Sequence, residues 1–152
     1  MTDLDLTRLW RERTSSEGQP PRVLIRVFVW PDDLGDAIDF YEELQGVRAD
    51  AIFPYPEVGL SLAMVGSFLV VSGTDEALVP FRSTTGTLLV DEVQPYRDRL
   101  VAAGGRIVKP LHEVPTGSGL TVEHPDGTVV EYVQHRPTAA ERDDEGPATA
   151  SR

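Results

Sequence analysis

The stretch HPDGTVVEYVQH, residues His124 to His135, combines a turn with an acidic strand. Its Pro-Asp-Gly sequence predicts a tight turn, and the β-branched and aromatic residues that follow predict a strand. Side chains alternate between the two faces of a strand, so Val129, Glu131 and Val133 share one face. If that face is buried, Glu131 needs a partner, because burial of an unpaired charge is costly.

Composition limits the class of protein. The chain has 152 residues, 40% of them hydrophobic, which suits one domain with its own core. It has no cysteine, so disulfides, thiolate metal sites and cysteine nucleophiles are excluded and a reducing compartment is expected. The first residues carry charges where a signal peptide needs an apolar run, and no stretch is apolar and long enough to cross a bilayer. We therefore expect a cytoplasmic protein with no membrane partner.

The net charge limits the partners. It is −11, and most of it lies between residues 21 and 137. So acidic a body repels phosphate backbones, which argues against nucleic acid, whereas it would attract a cationic small molecule. The alternative is that the acids are an ordinary solvated surface.

Both ends of the chain have the composition of appendages. Residues 14–21 and 137–152 are polar and contain Pro and Gly, with too little apolar surface to offset the cost of ordering them. We therefore expect an N-terminal arm over residues 1–20 and a disordered tail over residues 137–152. Within the arm, residues 4–13 could form a short helix with Leu6, Leu9 and Trp10 on one side.

Residues 21–136 contain one pattern twice. VLIRVFVW predicts a strand and PDDLGDAIDFYEELQG a helix; TTGTLLV and DEVQPYRDRLVAAGG repeat this order. The offset that aligns Leu34 with Val93 also aligns Gly46 with Gly105. About three more strands follow each helix. We predict an α+β fold in which two tandem βαβββ modules, about residues 21–80 and 81–136, form one domain.

Two motifs resemble a known family. DLGDAIDFYEELQG resembles the first helix of the vicinal oxygen chelate superfamily, the group of glyoxalases, bleomycin-resistance proteins and extradiol dioxygenases. HPDGTVVEYVQ resembles the closing turn and glutamate-bearing strand of that family. The resemblance covers about residues 23–135 and is closest to the metal-free, resistance-like branch. It implies a curved mixed sheet that forms a cup, with the helices outside and a concave site within.

The resemblance also indicates where a metal would be held. In metal-dependent members, donors on the first strand of each module, late in the first module and on the last strand point into the cup. Glu131 matches the last position, but Arg26 and Thr85 stand at the first-strand positions and residues 71–73 at the remaining one. Zinc, iron or manganese needs at least three imidazole or carboxylate donors, and arginine would repel the ion. We expect no metal and no cofactor.

Arg26 is the predicted partner of Glu131. Leu24, Arg26, Phe28 and Trp30 share one face of the first strand, and the family pattern sends Arg26 and Glu131 into the same cup. A guanidinium could satisfy the buried carboxylate with a bidentate contact, so we predict an ion pair in the space of the lost metal. The alternative is that Arg26 reaches solvent at the rim.

The leading functional hypothesis is a metal-independent protein that binds or sequesters a small planar or cationic ligand and forms a homodimer. Aromatic faces with acidic surroundings favour such ligands. His112 is placed in a loop that borders the cup. The candidate ligand-binding residues are Arg26, Phe28, Trp30, Phe53, Tyr55, Thr85, Thr87, His112, Glu131 and Val133, with Met64 and Phe68 as further apolar candidates.

Two other hypotheses remain open. One is a lyase, epimerase or dioxygenase in which Glu131 is a metal ligand or general base, although Arg26 beside it opposes the role of base. The other is an interaction module that binds a protein through its sheet edge or through the segment with Trp10. An open, aromatic-lined cavity would favour ligand binding, and a filled one would favour interaction.

Overall fold

The computed structural model describes residues 4–143. Its strands are β1 (Trp10–Arg11), β2 (Arg22–Val29), β3 (Ala51–Tyr55), β4 (Leu60–Val65), β5 (Phe68–Ser72), β6 (Gly86–Leu89), β7 (Arg106–Val114), β8 (Gly117–Glu123) and β9 (Val129–His135). Its helices are α1 (Leu34–Gln45), α2 (Asp75–Leu78) and α3 (Val93–Ala102), with 3-10 turns at Pro31–Asp33, Pro56–Val58 and Val79–Phe81. Within this part of the chain, no helix has the length and apolar character that a membrane crossing requires.

The nine strands form one curled mixed sheet in the order β1-β3-β4-β5-β2-β6-β9-β8-β7. In the first module β2 pairs parallel with β5, and in the second β6 pairs parallel with β9. The two modules join through the antiparallel pair β2 and β6 at the centre of the sheet. The predicted α+β fold, a sheet cup built from two βαβββ modules, is confirmed.

The two modules match at the starts of their long helices, but the offset between the helices does not identify the strand residues that face the cup. The helices α1 and α3 begin at Leu34 and Val93, as the alignment predicts. On the concave face, however, Arg26 lies opposite Leu69 in one parallel ladder and Thr87 lies opposite Glu131 in the other. Thr87, not Thr85, therefore lies beside Glu131 on the concave face. Positions two residues apart share a face, so alternation alone does not distinguish the two.

The sheet has a core on each face. On β4, Leu62 and Met64 point to the concave face, and Ala63 and Val65 point to α1. Two clusters lie under the helices, and one fills the concave side. The buried members of the concave cluster are Leu24, Ala51, Phe53, Leu60, Leu62, Met64, Leu69, Val71, Leu78, Leu89 and Val133. We call this concave side the cup.

The two long helices are held at their ends by different contacts. Gly46 ends α1 in the left-handed conformation, with φ 67°, and its N–H donates to the carbonyl of Glu42. This is the stop that the sequence predicted. At the start of α3, the N–H of Val93 donates to Oε1 of Gln134, which ties the helix to β9.

The predicted helix over residues 4–13 does not form. Trp10 and Arg11 instead form β1, which pairs antiparallel with Ile52 and Ala51 at the edge of the sheet. Leu9 packs against the concave core, while Trp10 is 46% exposed. A short isolated helix is marginal, whereas the free edge of β3 offers partners for the backbone groups of the arm. The prediction was wrong because the deciding contact is distant in sequence.

Arg11 joins the arm to the C-terminal segment. Its guanidinium donates to the carbonyls of Thr116 at 2.9 Å and Arg136 at 2.7 Å, and to the carboxylate of Glu141 at 2.8 and 2.9 Å. Residues 139–143 are helical. The predicted disordered tail is therefore ordered over residues 137–143, because the buried cation needs Glu141. Its remainder, residues 144–152, lies outside the described residues, as do residues 1–3.

Candidate functional site

Three neighbouring strands bring a polar cluster into the cup. Strand β6 lies between β2 and β9, so Thr87 is flanked by Arg26 and Glu131. Nη2 of Arg26 donates to Oε1 of Glu131 at 2.9 Å, and its Nε donates to Oγ1 of Thr87 at 3.1 Å. The Thr87 hydroxyl donates to the same Oε1 at 3.3 Å. The predicted ion pair is present, but the contact is single rather than bidentate, because Thr87 takes the Nε donor.

The pair is buried in surroundings that make its charges interdependent. The side chains of Arg26 and Glu131 are 6% and 18% exposed. Burial lowers the pKa of Arg26, and the charge of Glu131 opposes that shift, so the guanidinium stays charged. Burial, followed by the charge of Glu131, raises the pKa of Tyr55, so its hydroxyl stays protonated and able to donate. Loss of either ion would leave the other unpaired in the cup.

Apolar side chains line most of the space around this cluster. Phe53 and Tyr55 come from β3, Phe81 follows α2, and Val133 lies two residues after Glu131 on β9. The space that remains beside the pair is about 50 Å³. A water molecule takes roughly 30 Å³ in the liquid, so the cup has room for one or two waters as it stands.

The residues of the cup do not fit a metal site of the family type. Of the positions that would supply donors, only Glu131 carries a carboxylate, and its Oε1 already accepts two hydrogen bonds. Arg26 is a cation, and Ser72, at the end of β5, donates its hydroxyl to the carbonyl of Ser61. Residues 4–143 contain no group of three His, Cys, Asp or Glu arranged to hold an ion. One neutralised carboxylate is too few donors for zinc, iron or manganese.

Two predicted aromatic residues do not line the space beside the ion pair. Phe28 is on the concave face and packs against its core, but the guanidinium of Arg82 covers its ring, 5.5 Å from the centroid. Trp30 follows the end of β2 and is 46% exposed. The structure therefore brings Arg26, Phe53, Tyr55, Thr87, Glu131 and Val133 together and leaves both of these aromatic residues apart.

Three further candidates are placed differently from the prediction. Thr85 is exposed and precedes β6, because that strand begins at Gly86. His112 is in β7 rather than in a loop, with Nδ1 3.0 Å from the carbonyl of Pro110, and it does not line the cup. Phe68 is on the convex face, where its ring stacks on Tyr41 at 4.5 Å. Met64, by contrast, does line the cup.

The sequence contained signals for some of the residues that were missed. Leu60 and Leu62 share a face with Met64 by simple alternation, as do Leu69 and Val71 on β5. Phe81 gave no such signal, since it lies in the segment between the modules.

A larger cavity, of about 300 Å³, lies between the N-terminal arm and the cup. We call it the arm-side chamber. Its walls include Arg11, Arg13, Arg22, Asp50, Met64 and His135. Met64, Leu89 and His135 also line the cup, so the two spaces adjoin.

His135 stands between the chamber and the cup. It is 5% exposed, and its Nε2 atom has no hydrogen-bond partner within residues 4–143. Burial, and then the nearby charges of Arg11 and Arg22, lowers the pKa of His135 to about 4. The imidazole is therefore neutral at pH 7. Alternation along β9 places His135 on the same face as Glu131 and Val133, but the burial of its ring depends on the arm, which is distant in the chain.

Two βαβββ modules that share a curled sheet, with a polar cluster on the concave face and helices on the convex face, define a paired-module cup of the vicinal oxygen chelate type. Residues 23–132 match the family model described as Glyoxalase/Bleomycin resistance protein/Dioxygenase superfamily. The chain belongs to this superfamily, which confirms the resemblance at that level.

The chain is similar in structure to several solved proteins, whose descriptions differ from one another. It is 41% identical to an uncharacterized protein from Methanosarcina mazei, with a TM-score of 0.68 over 75% of this chain and 91% of the other. Methylmalonyl-CoA epimerase from Mycobacterium tuberculosis is 18% identical, with a TM-score of 0.52 over 85% and 91%. A hypothetical protein from Bacillus halodurans C-125 is 12% identical, with a TM-score of 0.54 over 80% and 99%. The last two share the fold alone. No curated protein compared with the chain matches it.

Proposed function

We propose that this chain is a metal-independent protein that binds a small planar ligand in the cup. One observation carries the proposal: Arg26, Thr87 and Glu131 form a charge-balanced polar cluster inside a mostly apolar lining. A few convergent polar groups among apolar walls are typical of ligand sites. Phe53 and Tyr55 supply aromatic surface for a flat molecule.

The polar cluster favours a ligand that donates hydrogen bonds. Oε1 of Glu131 already accepts from Arg26 and Thr87, whereas its Oε2 accepts none from the part of the chain that the structure describes. An amine or another N–H group would satisfy Oε2, and the acidic surface would attract a cation to the protein. The ligand class we propose is therefore a planar aromatic amine.

Ligand entry requires a movement of Phe81. The 50 Å³ beside the ion pair is too small for an aromatic ring, and Phe81 is the half-buried aromatic wall from the segment between the modules. A Phe81→Ala variant would open this wall without touching Arg26 or Glu131. It should therefore bind a planar amine more tightly than the natural chain does.

The proposal is tested by thermal unfolding with a panel of planar aromatic amines and their uncharged analogues, and separately with zinc, manganese and iron(II). A molecule that binds only the folded state raises Tm by mass action. We expect the amines to raise Tm in the natural chain, more strongly in Phe81→Ala, and not in Glu131→Gln. Phe40→Ala is the matched control, since Phe40 is 58% exposed on α1. A rise in Tm with a metal that is lost in Glu131→Gln would contradict the proposal. So would the absence of any rise in the Tm of Phe81→Ala with every amine.

A second candidate function is an interaction module, and the observation that favours it is the nearly filled cup.

We propose a homodimer for either function. Val23 and Ile25, 61% and 52% exposed on the convex side of the central strand β2, would be covered in it. Light scattering of the natural chain should give twice the monomer mass, and a Val23→Lys, Ile25→Lys chain should be a monomer. A monomeric natural chain would exclude this part of the proposal. The enzyme alternative has less support, because Arg26 neutralises Glu131.

A further inference from the structure

The arm-side chamber is built largely by parts of the chain that the family pattern does not include. The family match covers residues 23–132, whereas the chamber is walled by arm residues from Arg11 to Arg22 and by His135. Its volume, about 300 Å³, is at the small end of the range for ligand pockets, roughly 300–1,000 Å³. It is also about six times the free space beside the Arg26–Glu131 pair. The chamber thus adjoins the cup, and most of its wall lies outside the family match.

The side chains that line the chamber carry a net positive charge, although the whole protein is acidic. Arg11 is neutralised by Glu141, and Arg22 by Asp50 at 2.6 Å. Arg13, the third arginine of the wall, forms no ion pair with any residue between 4 and 143. Local charge decides what enters a cavity, because charges further away are screened by solvent. An anion is therefore favoured here, in contrast to the amine favoured in the cup.

His135 supplies a second, independent indication of a ligand. Its Nε2 is buried without a partner among the described residues, and a buried polar atom without a hydrogen bond costs free energy. His135 lines the chamber together with Met64 and Leu89. A ligand at that point would meet one neutral hydrogen-bonding group and two apolar side chains.

We propose that the arm-side chamber binds a small organic carboxylate, with Arg13 as its charge partner, His135 as its hydrogen-bond partner, and an apolar body that packs on Met64 and Leu89. The imidazole donates a ring N–H to the carboxylate, and the ring turns toward the ligand as it binds. This site adjoins the cup and shares His135, Met64 and Leu89 with it, but it does not use the Arg26–Glu131 pair.

The experiment is an NMR titration of the full chain, labelled at its three histidines, with 2-naphthoate as probe and 2-naphthamide as its uncharged counterpart. His112→Gln and His124→Gln assign the ring signals. We expect 2-naphthoate to shift the His135 signals and to raise the pKa of that ring, because an adjacent anion favours the charged imidazole. Arg13→Gln should weaken binding by about tenfold, the effect of losing a charge-assisted hydrogen bond.

Arg8→Gln is the matched control, since Arg8 is an exposed arginine of the same arm that does not line the chamber. It should bind 2-naphthoate like the natural chain. Glu131→Gln should also bind it normally, which separates this site from the cup. Equal weakening by Arg8→Gln and Arg13→Gln, equal affinity for 2-naphthamide, or absence of any shift at His135 would each overturn the proposal.

Discussion

Arg26 and Glu131 meet at 2.9 Å although β6 separates their strands, and Thr87 on β6 contacts both. The pair joins the two modules on their concave side, where members of the family with a metal carry its donors. An ion pair at this point balances the charge of the last-strand glutamate without an ion. Each of the two buried charges also depends on the other for its stabilisation.

This dependence predicts a strong coupling. Arg26→Met or Glu131→Leu alone should lower the free energy of unfolding by about 3–5 kcal/mol, since each leaves one buried charge unpaired. The double variant should recover most of that loss, because two apolar side chains suit the lining of the cup. Urea unfolding of the four chains measures the coupling. Additive losses in the double variant would mean that solvent already satisfies the two charges.

Phe81, which closes the cup, should contribute modestly to the free energy of unfolding. Phe81→Ala should lower the free energy of unfolding by about 1–3 kcal/mol, less than for a fully buried ring, because the residue is half-buried. Phe40→Ala on the exposed side of α1 should change it by no more than about 0.5 kcal/mol. Chemical denaturation gives both values. A negligible change at Phe81 would show that the segment between the modules does not hold the cup closed.

His135 should make stability fall in acid. Its pKa is about 4 in the folded chain and near 6.5 when unfolded, so the unfolded chain binds the proton more readily. The contribution is fully present above pH 6.5 and is lost as the pH falls toward 4. It amounts to about 3 kcal/mol at most, at 1.36 kcal/mol per pKa unit.

The pH effect is measured by urea unfolding at pH 7, 5.5 and 4.5. Because carboxylates also titrate in this range, the informative quantity is the difference between the natural chain and His135→Leu. The free energy of unfolding of the natural chain, relative to that of His135→Leu, should fall steadily from pH 7 to 4.5. His112→Gln, a histidine outside both cavities, should follow the natural chain. Parallel curves for the natural chain and His135→Leu would show that His135 does not titrate in this way.

Glu141 should hold the arm on the sheet. Burial raises the pKa of Glu141, but hydrogen bonds from Arg11 and Thr138 lower it by more than burial raises it. The pKa is therefore below its usual value, and the carboxylate is charged at pH 7. Glu141→Gln should lower the free energy of unfolding by about 1–3 kcal/mol, because Arg11 loses a charged partner. Faster hydrogen exchange should appear at the amides of β1. Glu17→Gln, an exposed change in the same arm, should leave exchange at β1 as it was.

Local pattern was sufficient for the two long helices α1 and α3, the duplicated module and the facing of β2 and β9. The apolar spacing of α1, the glycine that ends it and the two-residue alternation around Arg26 and Glu131 all depend on neighbours a few residues away. The pairing of those two charges also followed from the sequence, since a buried carboxylate needs a counterion and the family pattern places both residues in one cup.

Tertiary contacts decided the rest. Of the two candidates Thr85 and Thr87, only Thr87 contacts the ion pair, and alternation does not distinguish them because positions two residues apart share a face. The arm became β1 because the edge of β3 and the carboxylate of Glu141, both distant in sequence, supply its partners. The same distant contacts bury His135 and enclose the arm-side chamber. Which space a side chain borders depends on surfaces brought together by folding, and the order of residues along one strand does not contain that information.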